Sequence, residues 1–129
     1  MYMSDKQELH IVLVSNEPER VYPALTLILA ASSLGVNAHL YATMKGLDVI
    51  RKDTMNKIYM PGMPPVEEYL KNALSVGAHI CACAPSKEML EKMGINEQTL
   101  YPGVEIEEAI TFLNNALKAA RNGGIVLFI

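Results

Sequence analysis

Tryptophan is absent from this chain of 129 residues, and phenylalanine and cysteine occur only twice each. Charge is also scarce: Asp, Glu, Lys and Arg make up 19%, with a formal net charge of −3. That balance gives no electrostatic footprint for nucleic acid or an anionic membrane surface. The longest apolar region, ALTLILAASSLG, is too short and too interrupted to span a bilayer. The opening MYMSDKQE precedes an apolar run of only about five residues, which does not read as a signal peptide. These features together predict a cytoplasmic protein with neither nucleic acid nor membrane as a partner. In a reducing compartment two cysteines are thiols more often than a bridge. SNEPER, after the first apolar run, has no glycine where a phosphate loop would need one, and no cofactor is expected. Metal ligands are few. His10 and His39 fall near the starts of predicted strands, away from the cysteines, and the donor count predicts no metal site.

Half the residues are hydrophobic, mostly the Ala, Leu, Ile and Val that fill the space between helices and a sheet. The length suits one domain over residues 1–129. HIVLVS reads as a strand buried on both faces. VYPALTLILAASSLG reads as a deeply buried helix with Pro23 in its first turn and Gly35 at its end. NAHLYA is a second strand, giving two parallel strands joined by a right-handed crossover. GLDVIRK predicts a short helix after Gly46, and MPGMPP a turn. PVEEYLKNALSVG is a helix with Val66, Tyr69, Leu70, Ala73 and Leu74 on one face. AHICACA is a third strand, and SKEMLEKMG a short helix capped by Ser86 and ended by Gly94.

EIEEAITFLNNALKAARNGG predicts one long helix with a buried stripe of Ile106, Ala109, Ile110, Leu113, Leu117 and Ala120. Its glutamates at residues 105, 107 and 108 then serve the positive end of the helix dipole. IVLFI is a final strand, expected inside the sheet or covered by another subunit. The expected fold is α/β: a three-layer sandwich with a mostly parallel sheet of about five strands and helices on both faces.

Both cysteines lie in the third strand, in CACAP. Residues two apart in a strand share a face, so Cys81 and Cys83 point the same way, with Cys81 deeper. Cys83 nears the carboxyl end, where ligands of such sheets bind and where a helix start favours a thiolate. Lys87 adds a nearby cation. Fully extended, their Cα atoms stand about 7 Å apart, near the upper limit for a disulfide. Packing explains Cys81 more readily than Cys83, because free cysteine is often a small core residue.

Three stretches resemble the DsrE/DsrF-like family of YchN-like fold: PALTLILAASSLGVNAHLYATMKGLDVI, ICACAPSKEMLEKMGI, and the long helix with its final apolar strand. In the pattern of that family a functional cysteine stands three residues before a serine, a spacing that Cys83 and Ser86 match; Cys81 inherits no role. The resemblance implies a sulfur carrier or sulfurtransferase holding a persulfide or thiosulfonate on Cys83. It also implies a homo-oligomer, trimeric or hexameric, and exchange with a TusA-like or rhodanese-like partner. The N–H groups of residues 85 to 88 and the Ser86 hydroxyl would steady the anion. Asn16, Thr43 and Met44, after the first two strands, are expected at the same mouth, with Cys81 as a resolving thiol or packing. KIYMPGMPP suits a subunit contact, a lid or an ordinary loop. The alternative is a non-catalytic oligomeric module of the same fold that binds a small ligand or a partner. A thiol peroxidase is disfavoured, since no Thr-x-x-Cys occurs.

Overall fold

The computed structural model describes residues 7–84 and 86–129. Its five strands form one all-parallel sheet in the order β4-β3-β2-β1-β5. They are β1 (Glu8–Leu13), β2 (Asn37–Ala42), β3 (His79–Ala84), β4 (Glu105–Glu108) and β5 (Ile125–Phe128). The helices are α1 (Pro18–Ser33), α2 (Val66–Ser75), α3 (Lys87–Lys92) and α4 (Ala109–Arg121). α1, α2 and α3 cover one face, where Ile11, Leu13, Leu40, Ile80 and Ala82 join Leu25, Ile28, Leu70 and Leu90 in the main core. α4 crosses the other face, over β4, β3 and β1 to β5. Two layers of helix on a parallel sheet explain why the inner strands carry almost no polar side chain toward α1 and α2. No described helix is long and apolar enough to cross a membrane.

Several expectations shift. β1 begins two residues before His10 and ends at Leu13. α1 begins at Pro18, not Val21, so Pro18 takes the first-turn position and Pro23 lies inside the helix. α1 is not buried all round, because Leu27 within it and Leu34 at its C-cap face solvent. The segment after β2 is two 3-10 turns, Met44–Val49 and Met55–Lys57, not one helix from Gly46.

The largest correction concerns EIEEAITFLNNALKAARNGG. Glu105–Glu108 pair with β3 as an edge strand, and the helix starts only at Ala109. EIEE alternates with period two while the residues after it repeat with helical spacing, and the two patterns overlap. The inward side of α4 is Phe112, Ala116 and Ala119. Of the expected stripe, Ile106 on β4 packs partly buried against the main core, whereas Ile110, 78% exposed, Leu113 and Leu117 point outward. β5 is the other edge of the sheet, not an inner strand, and its Phe128 is 71% exposed.

On the α4 face, register sets His10 beside His39 and His39 beside His79. The rings stack with centroids 4.3 and 4.7 Å apart. Burial holds the His39 pKa at about 4; its neighbours His10 and His79 act in the same direction and Glu8 opposes them. Unfolded, that ring takes up a proton near pH 6.5. Folded, it resists protonation down to about pH 4. The unfolded chain therefore binds more protons in that interval, and the His39 contribution to stability is lost as pH falls through it. We expect about 1–2 kcal/mol, discounted for partial solvent access. Urea titrations at pH 7 and pH 4.5 should show a smaller loss in His39→Gln than in the native sequence; an equal loss would refute the assignment.

Candidate functional site

The two thiols lie where β3 meets β4 and α4. Cys81 and Cys83 share a face of β3, as the strand period requires. They pack with Tyr41 of β2 and Phe112 of α4. The two rings lie 4.2 Å apart, tilted by 59°. Both cysteines are free and buried, Cys83 7% exposed and Cys81 4%. Cys83 is one residue from the carboxyl end of its strand.

The register with β4 supplies what the sequence reading missed. Cys81 is opposite Glu105 and Cys83 opposite Glu107. In neighbouring parallel strands, residues in register point to the same face, so each thiol has a carboxylate beside it. Burial pushes the Cys81 thiol up to about 12, and Glu107, Glu105 and Cys83 add to the effect. Burial and then Glu107 raise Cys83. Tyr41 is raised by burial, Glu107 and Cys81, while Asn115 beside it works in the opposite direction. Glu107 Oε1 is buried without a hydrogen-bond partner among the described residues. The site is therefore a packed pair of neutral thiols beneath an aromatic cover, with a carboxylate that opposes their ionisation. The period-two alternation of EIEE was the one local signal for this strand.

Removing that charge should help the thiol ionise. Glu107→Gln is expected to raise the alkylation rate of Cys83 by iodoacetamide several-fold at pH 8, because the thiolate is the reactive species. A slower reaction would mean that Glu107 takes the proton as a base and would reverse this assignment.

The other expected site residues each have a place of their own. The Ser86 hydroxyl caps α3 by accepting from Met89 N–H at 3.2 Å. Position 85 is proline, which has no amide hydrogen to offer an anion, and lies outside the described residues. Lys87 lines a separate hollow of about 220 Å³ with Glu91, Asn96 and Gln98. Asn16 donates to Asp48 at 3.0 Å in a cleft of about 490 Å³ that also holds Thr54, Lys57 and Tyr59, and neither cysteine. Thr43 ties its N–H to Leu13 at 3.0 Å, and Met44 projects into solvent with positive φ. In KIYMPGMPP, Ile58 is buried and Tyr59 exposed.

A family model, the DsrE/DsrF-like family, matches residues 9–122. Uncharacterized protein MJ0760 of Methanocaldococcus jannaschii is 29% identical over 96 residues, 74% of this chain. The match covers 34% of that protein, so the chain spans about a third of the length of this curated relative. With the family match running from β1 to the end of α4, the chain belongs to the DsrE/DsrF-like family.

Proposed function

We propose that this protein is a sulfur-relay protein that carries sulfane sulfur on Cys83. The observation that supports this most is the placement of Cys83 near the carboxyl end of an inner parallel strand, three residues before the Ser86 cap, in a chain of this family. Ligands of open parallel sheets approach from that end. The Cys83 thiolate attacks a terminal sulfur of a polysulfide. A sulfur–sulfur bond forms, another breaks, and the shortened polysulfide leaves with the electron pair. Cys83 ends as a persulfide, and the acceptor thiol is supplied by a TusA-like or rhodanese-like partner. Cys81, deeper and held up to about 12, packs rather than attacks.

Homo-oligomerisation belongs to the same reading. Ile110, Leu113 and Leu117 of α4 lie open beside the exposed edge strand β5 with Ile125 and Phe128. A second copy would cover that apolar surface.

One observation favours the alternative, a non-catalytic binding module. Cys83 is nearly buried and its thiol is held in the neutral form. The two readings separate in one experiment. Incubation with polysulfide or tetrathionate followed by intact mass measurement should reveal an adduct that reductant removes. The same sample under native ionisation reads subunit number, and a monomer alone would end the homo-oligomer proposal. An unmodified mass after prolonged exposure at pH 8 would leave the binding module.

A further inference from the structure

A second cluster lies on the same sheet face at the opposite end of the strands. Glu8 and His10 alternate along β1, and His39 is the register partner of His10 on β2. Glu8 Oε1 lies 2.7 Å from His10 Nε2 and 3.6 Å from His39 Nε2. One donor atom from each of the three residues falls within 4.8 Å of the others. His10 is fully buried, and its Nδ1 has no hydrogen-bond partner among the described residues. The Glu8 side chain is 35% exposed and that of His39 18%, so the cluster has a closed floor and an open side.

We propose that Glu8, His10 and His39 bind a divalent transition-metal ion of the zinc class, with an open position left for water. Two imidazoles and one carboxylate form a donor set that suits Zn²⁺ and its neighbours better than Mg²⁺ or Ca²⁺. Tetrahedral bonds of the usual length put donor atoms roughly 3.3 Å apart. The two observed separations, 2.7 and 3.6 Å, fall on either side of that value. Binding requires one rearrangement: the His10 and His39 rings, now parallel within 5°, turn so that both lone pairs converge. No electron is transferred. For Nε2 to bind the metal, the His10 ring proton must reside on Nδ1, and the Glu8 carboxylate turns from the ring to the ion. The ordinary reading of the same atoms is a buried histidine bonded to a carboxylate, and it predicts no metal affinity.

Calorimetry of the full chain, stripped of metal, with Zn²⁺ is the test. The native sequence is expected to take one ion per chain. Glu8→Gln and His39→Gln each lose a direct ligand and should weaken binding by more than the roughly 10–100-fold that loss of an outer-shell partner costs. The Cys81→Ser, Cys83→Ser double variant should bind as the native sequence does. A visible spectrum with Co²⁺ should lack the thiolate charge-transfer band. Histidine ring resonances of the native chain should shift at His10 and His39 on adding Zn²⁺, a readout that needs no variant to fold. No binding, binding unchanged in both ligand variants, or a thiolate band that disappears with the cysteines would each overturn the proposal.

Discussion

Cys83→Ser is expected to abolish sulfane-sulfur loading, while Cys81→Ser loads as the native protein does. The two residues stand two positions apart on one strand face but differ in depth and ionisation. Cys81 has carboxylates from Glu105 and Glu107 as well as burial holding its proton, and its thiol reaches about 12. Cys83 is raised by burial and Glu107 without Glu105, and lies closer to the rim. Because the thiol rather than the thiolate predominates at neutral pH, native loading should be slow there. It should speed up steadily as pH rises, since the thiolate fraction is the reactant. Ser cannot form a persulfide, so the adduct mass should vanish at every pH. Intact masses of the three proteins after a common exposure make the comparison. Loading retained in Cys83→Ser and lost in Cys81→Ser would move the carrier atom to the deeper thiol and end the assignment made here.

The second large effect is structural. Gly46→Ala should destabilise the fold by at least about 3 kcal/mol, lowering the melting temperature by about 10 °C. A Cβ at residue 46 would overlap the carbonyl oxygen of Leu13 and stand 2.8 Å from its carbonyl carbon. That oxygen already accepts the Thr43 N–H at 3.0 Å, where β1 and β2 end. Neither atom can yield without moving the ends of two inner strands. The requirement at Gly46 is space, whereas Gly62 has φ +86° with nothing within 4 Å of an added Cβ. Gly62→Ala therefore isolates the cost of backbone conformation, about 1 kcal/mol. Thermal melts of both variants are the check. A Gly46→Ala protein as stable as Gly62→Ala would show that the close approach to Leu13 relaxes freely.

β2, α2, β3 and α3 were legible in the sequence because their signals are local. NAHLYA is bounded by Gly35 and the turn after Ala42, and α2 keeps one apolar face between Pro65 and Gly77. Ser86 and Gly94 mark both ends of α3, and the cap bond to Met89 bears out the first. Face sharing by Cys81 and Cys83 also follows from the strand period alone. The start of α4 was not legible. In EIEEAI the alternating and helical patterns run through each other, and pairing with β3 decides between them. The helix also carries two apolar stripes, and only the position of the sheet selects Phe112, Ala116 and Ala119 for burial.

The sequence by itself determined an α/β chain with two thiols on one strand face near a carboxyl end. The tertiary structure alone decided which groups surround them. Register between strands distant in sequence brings Glu107 to Cys83, and Glu8 and His10 to His39. Periodicity is a property of neighbouring residues, whereas register depends on how separate segments align across the sheet. The spacing of Glu8 and His10 on β1 is local, but the approach of His39 to them and of Glu107 to Cys83 comes from that alignment and from no local pattern.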